Sequence, residues 1–300
     1  MKIGLIDVDG HNYPNLALMK ISAYHKAMGD SVEWWWGFEH YDRVYMSRVF
    51  DDTYSQDIPA PLNADQIVRG GTGYCISSQL PYEIEHMCPD YSLYPELIKD
   101  TAYGFLTRGC PNNCPFCIVS QKEGQCSRKA SDLSEWWSGQ KNIVLMDPNI
   151  LACREHMDLL GQLADSGAWV DINQGLDARL LTAENIEAIQ RIRIKEIHFA
   201  WDLMKNSKRI VHGLNLWKRY GKRNRHGKWG TVYVLTNFNT TMAENLYRIY
   251  KLRDMGFDPY VMVYDKPHAP KEVRHLQRWC NNRTIFESCQ RFEDYEPKRG

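Results

Sequence analysis

The sequence predicts an α/β protein. A small, mostly parallel Rossmann-like sheet over residues 1–99 is followed by a partial (β/α)6 barrel over 100–270 and a C-terminal helix and tail over 271–300. Short apolar runs alternate with amphipathic stretches along most of the chain, the pattern of parallel strands joined by helical crossovers. Cap and stop residues bracket those stretches, and no apolar run approaches the ~20 residues of a membrane span. With 300 residues, 43% of them hydrophobic, the chain can bury one large core or two smaller ones.

Residues 2–8 read as a buried strand. Pro14 then opens a helical run over 15–28, with Leu16, Met19, Ala23 and Ala27 on one face and Gly29 as its stop. The runs 30–36, 43–46 and 65–68 supply three further strands, the last halted by Gly70 and Gly71. Residues 77–99 carry Pro81, Pro89 and Pro95 among tyrosines and polar side chains, and read as a linker wrapped on the surface of one domain.

A strand over 103–106 enters a loop holding Cys110, Cys114 and Cys117, spaced three residues and then two apart. Gly109, Pro111 and Pro115 favour irregular backbone, which can turn three thiolates toward one point. Soft thiolates this close suit an iron–sulfur cluster or zinc. Structural zinc is usually held by paired Cys-x-x-Cys elements, and no second pair follows; Cys126, nine residues on, is the candidate fourth ligand. Three ligands on a cubane cluster would leave one iron open to a small molecule.

Cys110-x-x-x-Cys114-x-Phe116-Cys117, just after a first strand, resembles the signature of the radical S-adenosylmethionine (SAM) superfamily. The resemblance implies a 4Fe-4S cluster held by the three cysteines and SAM chelated to the open iron. It also implies reductive cleavage to a deoxyadenosyl radical, with electrons from an external flavodoxin- or ferredoxin-like donor. The front of the chain is similar to the cobalamin-binding domain that precedes many radical SAM cores. Asp9-Gly10-His11-Asn12-Tyr13-Pro14, Ser47-Arg48-Val49 and Gly70-Gly71 stand in that motif's order. Pro14 replaces a glycine and Val49 a leucine, and about a hundred residues is short for that domain, so the expectation is a relic sheet without cobalamin.

The core continues with strands over 142–146, 169–173, 196–200, 231–235 and 260–264. Helices over 155–165, 183–192 (capped by Thr182) and 242–255 (capped by Thr240 or Thr241) lie between them. Right-handed crossovers would curl six such units into a partial barrel with the strand ends lining one mouth. The resemblance places SAM contacts at those ends. Asp147 and Asn149 stand in for the amino-group turn, Asp177 faces ribose, Arg179 faces the methionine carboxylate, Asp202 and Asn237 contact ribose and adenine, and Phe116 lies beside adenine. His198 falls within the fourth strand and is expected to be a hydrogen-bonded barrel residue. Residues 271–279 form a charged helix packed through Val273, Leu276 and Trp279.

Formal charge is zero, but 1–99 carries seven basic and fourteen acidic residues against thirty and twenty-three in 100–300. Residues 205–228 alone hold nine Lys or Arg and no acid, interleaved with aromatics, which suits phosphate contact and base stacking. Nine cysteines without a leader-like start point to a reducing cytoplasm. Three functions remain open at this point. One is radical modification of nucleic acid or a nucleotide, the second of a peptide or small metabolite. The third is a non-catalytic iron–sulfur or zinc nucleic-acid-binding module.

Overall fold

The computed structural model describes residues 1–10, 12–224 and 226–297. Its front is a parallel sheet of β1 (Lys2–Asp7), β2 (Ser31–Trp34), β3 (Tyr41–Ser47) and β4 (Ala64–Gly70), in the order β2-β1-β3-β4. β1 is central and apolar on both faces, as a parallel strand requires. Helix α1 (Leu16–Ala27) begins at Asn15, whose side chain accepts the Leu18 N–H, and covers one face of the sheet. Its buried residues are Leu18, Met19, Ile21, Ser22 and His25, so of the expected apolar face only Met19 is buried. His25 can lie inside because Asp30 (2.6 Å) and Tyr45 (2.9 Å) satisfy its two ring nitrogens.

The expected surface linker folds back as α2 (Tyr82–Glu85), a 3-10 turn over Tyr91–Leu93 and α3 (Pro95–Ile98), which bury Ile84 and Ile98. Asp90 accepts from Ser22 and Lys26, both at 2.6 Å, and the Tyr94 hydroxyl donates to Asp7 at 2.6 Å. These bonds fasten the segment to the front sheet.

Strand β5 (Thr101–Gly104) leads into a short antiparallel ribbon, β6 (Thr107–Arg108) with β7 (Arg128–Lys129). That ribbon encloses the cysteine loop, which contains the single turn α4 (Val119–Glu123). Then come β8 (Asn142–Leu145), β9 (Trp169–Ile172) and β10 (Arg193–Glu196), in one parallel sheet with β5. β11 (His198–Ala200), β12 (Thr231–Thr236) and β13 (Asp258–Val263) form the next sheet. A bridge between Leu176 and Phe199 joins the two, with the Leu176 N–H on the His198 carbonyl at 2.7 Å. The result is an open barrel of mixed α/β architecture with parallel strands, as the sequence predicts.

The fourth barrel strand differs from expectation. It is split at Ile197, because its register against β9 slips between Ile194 and Glu196. A slip of this kind sharpens the bend that curls a sheet. Helices α5 (His156–Ser166), α6 (Ala183–Arg191), α7 (Ser207–Tyr220), α8 (Met242–Met255) and α9 (Lys271–Asn281) cover the outside, followed by the short α10 (Arg283–Ser288). Thr182 and Thr241 close capping boxes at α6 and α8. Ile143, Val170, Phe199, Val232 and Val261 point outward beneath these helices and are fully buried. Val273, Leu276 and Trp279 of α9 are buried against the barrel as expected.

One polar group sits inside this apolar layer. The guanidinium of Arg248, on α8, donates to the carbonyls of Trp201 (2.6 Å), Asp202 (2.6 Å) and Leu235 (2.8 Å) and to Asn245 Oδ1 (2.6 Å). Burial lowers its pKa to about 10, against the pull of Asp202 and Glu244, so it stays charged at neutral pH. Replacing it would leave three buried strand-end carbonyls unpaired. Arg248→Met is therefore expected to cost about 3–5 kcal/mol of stability, read as a lowered midpoint in urea unfolding. An unchanged midpoint would mean that water satisfies those carbonyls.

Candidate active site

The cysteine loop is closed by its own backbone and one glutamate. Glu123 accepts from Arg108 Nη1 (2.8 Å) and from the Gly109 N–H (3.0 Å), while the Cys110 N–H reaches the Gly124 carbonyl (3.2 Å). Arg108 also lies over the Phe105 ring at 3.4 Å. Gly109 has φ +85°, and a Cβ there would sit 2.3 Å from the Cys126 carbonyl oxygen. Only glycine fits, so the loop's two ends meet at this residue. The Cys117 N–H bonds the Cys114 carbonyl at 3.0 Å, closing a turn between the second and third cysteines.

The three thiols lie within electrostatic reach of one another. Burial pushes Cys114 up to about 11, with Asp202, Cys117 and Cys110 adding to the rise and Arg179 opposing it. Burial also raises Cys117. Among the described residues, no three His, Cys, Asp or Glu side chains converge as the ligands of a single metal ion would. A cubane asks for something different, three thiolates that each hold a separate iron. Cys126 turns its thiol to the Ser127 carbonyl (3.7 Å). Three neighbouring thiols facing an arginine fit a cluster as donors.

The strand-end residues divide into two groups. Asn149, Asp177, Arg179 and Asp202 gather at the cysteines. Asn149 Nδ2 lies 3.7 Å from Cys110 Sγ and 3.2 Å from Asp177 Oδ2, and its Oδ1 is buried without a partner. Arg179 clasps Asp177 through two bonds, Nε to Oδ1 (2.8 Å) and Nη2 to Oδ2 (2.7 Å). Burial works to raise the Asp177 pKa, but Arg179 and Asn112 hold it below the usual carboxylate range. In this structure two of the Arg179 nitrogens are thus spent on Asp177, and Nη1 is not part of the clasp. Burial pushes Asp202 up to about 6 against the opposing charge of Arg248. Phe116 packs edge-on against Phe238 (5.5 Å), bringing the cysteine loop to the end of β12.

Asp147 and Asn237 have other duties. Asp147 is 1% exposed and accepts from the Leu106 N–H (2.7 Å), the Thr107 N–H (2.9 Å) and the Thr107 hydroxyl (2.7 Å). Its oxygens are taken, so it braces the chain entering the cysteine loop instead of offering a free acceptor to a ligand. Asn237 donates to the Tyr264 carbonyl (2.9 Å) from a left-handed conformation (φ 62°).

Sequence reasoning placed Phe238 at a strand end with Thr236 and Asn237, but did not single out Asn112, Glu123 or Arg248. Asn112 donates to Asp177 Oδ2 at 3.0 Å. A signal existed only for Arg248, a cation set among the apolar positions Ile249, Leu252 and Met255 of α8. The other two depend on where the cysteine loop folds.

The cationic stretch 205–228 is built as helix α7 followed by a partly tied loop. Arg223 lies over Trp229 at 4.4 Å and donates to the Gly227 carbonyl at 2.7 Å, and Lys228 pairs with Asp258 at 3.6 Å. Arg225 lies outside the described residues. In the front sheet, the Gly-rich segment is filled by the chain itself. A Cβ on Gly71 would sit 2.1 Å from the Arg48 carbonyl oxygen, and one on Gly73 2.2 Å from that of Phe50. His11 lies outside the described residues. Among the described residues no helix is long and apolar enough to cross a membrane.

Gly109→Ala should force the loop open, since it combines a positive φ with a backbone clash. Amide exchange at Cys110 and Cys117 is expected to speed up by about tenfold or more, while β12 amides keep their protection. Equal protection in both proteins would show that the closure is not built on Gly109.

No protein-family model matches the chain. No curated protein matches it. Among solved structures, the fold is similar to that of the radical S-adenosylmethionine methyltransferase TsrM from Kitasatospora setae, determined with cobalamin and a 4Fe-4S cluster bound. The TM-score is 0.63 at 9% sequence identity, over 87% of this chain and 74% of that one.

Proposed function

We propose that this chain is a radical SAM enzyme. The observation that carries the reading is the placement of the Cys110, Cys114 and Cys117 loop at the strand ends of a six-position open barrel, with Arg179, Asp177 and Asn149 packed against it. The likeness of fold to a radical SAM methyltransferase supports it. A reduced 4Fe-4S cluster with SAM bound supplies a deoxyadenosyl radical that abstracts hydrogen from a substrate.

The chain's own residues would hold and orient the reactants. The three cysteines would hold iron, and Cys126 turns its thiol to the Ser127 carbonyl instead. Asn149, with one unpartnered oxygen beside Cys110, would accept from the SAM amino group. Arg179 lies within electrostatic reach of Cys110 and Cys114, and would meet the methionine carboxylate by a charge-assisted bond. Asp202 would take a ribose hydroxyl. Phe116 and Phe238 would flank the adenine, whose flat face suits an edge-on aromatic pair. The electron comes from an external flavodoxin- or ferredoxin-like donor.

Anaerobic reconstitution with iron, sulfide, SAM and dithionite is expected to give deoxyadenosine. Cys110→Ala, Cys114→Ala and Cys117→Ala should each abolish it, whereas Cys126→Ala should keep its iron content. Loss of metal from Cys126→Ala as complete as from Cys114→Ala would refute the three-cysteine site.

The front sheet is proposed to hold no corrin. Gly71 and Gly73 are spent on the close approach of the chain's own residues 48–50, and Arg48 fills the space beneath with bonds to Asp52 and the Ser55 carbonyl. Protein from cobalamin-fed cells should therefore lack corrin absorption bands. A stoichiometric corrinoid whose spectrum changes in His11→Ala would overturn this part of the reading and leave the cysteine site standing.

A further inference from the structure

The two faces of the barrel wall differ in kind. Its outer face is apolar and sealed beneath the helices. Strand alternation turns Tyr103, Val144 and Asp171 to the inner face, in cross-strand register on β5, β8 and β9. On the other half, Tyr233 and Tyr260 are directly paired on β12 and β13, and their rings meet edge-on at 5.9 Å. His198, on β11, lies flat on Tyr233 with centroids 5.2 Å apart and 4° between planes.

Within this aromatic surface two polar atoms are buried without any hydrogen-bond partner, Asp171 Oδ1 and His198 Nδ1. His198 is only 8% exposed. Its Nε2 lies 3.5 Å from the Glu196 carboxylate, and with the ring proton on that side Nδ1 is an acceptor. In that tautomer the Asp171 carboxylate oxygen and the imidazole nitrogen cannot satisfy each other, and what both take is a donor.

The remaining geometry says what shape that donor has. The parallel His198 and Tyr233 rings present a flat surface, and Tyr260 (42% exposed) leaves the wall open at the β13 edge. From the front unit, the Tyr13 phenol adds to the rise that burial gives the Tyr103 hydroxyl. Burial, followed by Asp171, Tyr260, Glu196 and Tyr13, pushes Tyr233 up to about 12.

Building on the radical SAM reading above, we propose that the barrel's inner face binds a planar aromatic heterocycle bearing an amino group. The ring stacks among Tyr103, Tyr233 and Tyr260, and its N–H groups are donated to Asp171 Oδ1 and His198 Nδ1. This defines the substrate by its chemistry, a flat nitrogenous ring with donors on one edge. An aliphatic ammonium would meet the carboxylate but leave the flat surface unused.

Equilibrium dialysis on the reconstituted protein, with SAM saturating, tests this with 2-aminopyridine, 2-methylpyridine and cyclohexylamine as probes. The amino ring is expected to bind at least about tenfold more tightly than its methyl analogue or the aliphatic amine, consistent with loss of a buried donor. Asp171→Asn and His198→Phe should each erase that preference, the latter while keeping the ring on Tyr233. Val144→Trp, which fills the space between Tyr103 and Asp171, should block all binding, and it serves where a polar variant fails to fold by circular dichroism. Equal binding of the amino and methyl rings, preference for the aliphatic amine, or an undiminished preference in Asp171→Asn would overturn the proposal. The same preparations are assayed for deoxyadenosine. Selective binding without deoxyadenosine would reject the radical reading alone, and deoxyadenosine without selectivity would reject the inner-face site alone.

Discussion

A parallel sheet delivers unpaired backbone at its carboxyl ends, and this barrel meets that demand with two buried ionisable groups, one acidic and one basic. Asp147 collects the donors, the N–H groups of Leu106 and Thr107. Arg248 collects the acceptors, the carbonyls of Trp201, Asp202 and Leu235. Water would otherwise have to reach these groups, and the mouth of the barrel would be soft where a ligand must be positioned. Burial opposes both charges, raising the first to about 7 and lowering the second to about 10. The bonds they make to fixed backbone offset that penalty. The cysteine loop leaves from beside one charge and Asp202 from beside the other, so the site inherits its rigidity from them.

The loop itself owes little to the apolar core. It is irregular, it buries none of its cysteines fully, and it is closed by Glu123, Gly109 and the ribbon β6–β7. Fixing a loop at its ends, instead of packing its middle, leaves the thiols free of competing contacts. It also explains why a clamp of Arg108, Glu123 and the Phe105 ring stands at the neck.

Much of this architecture was legible in the sequence because it rests on periodicity. The front strands, the barrel strands and the capped helices α6 and α8 follow from apolar runs and cap residues that act over a few positions. What was not legible depends on long-range placement. The break at Ile197 records curvature of the whole sheet. The face that α1 buries includes His25, whose partners Asp30 and Tyr45 come together only after folding. Asp147 reads as a ligand contact at a strand end, yet its neighbours consume it. His198 reads as a satisfied barrel residue and proves to have a bare nitrogen. The cysteines were the clearest signal, since their spacing encodes their chemistry locally.

The front sheet raises a different question: why a glycine-rich cradle persists when the chain's own backbone fills it. Its attachment suggests an answer. The Tyr94 hydroxyl binds Asp7 at the carboxyl end of β1, and Trp34 packs edge-on against Tyr94 at 5.1 Å. Lys20 pairs with Glu85 (3.0 Å) and Arg108 reaches the same carboxylate (3.4 Å), so one acid links α1 to the neck of the cysteine loop. A cavity of about 150 Å³ lies along this seam, and among its lining charges His86 pairs with Glu135 (2.8 Å) and Lys20 and Arg108 with Glu85. The sheet is thus held against the barrel by paired charges and aromatic contacts around the exit of β1. Tyr13 comes within electrostatic reach of the barrel's inner tyrosines. A sheet anchored this way braces the neck of the cysteine loop, because one carboxylate, Glu85, ties Lys20 of α1 to Arg108.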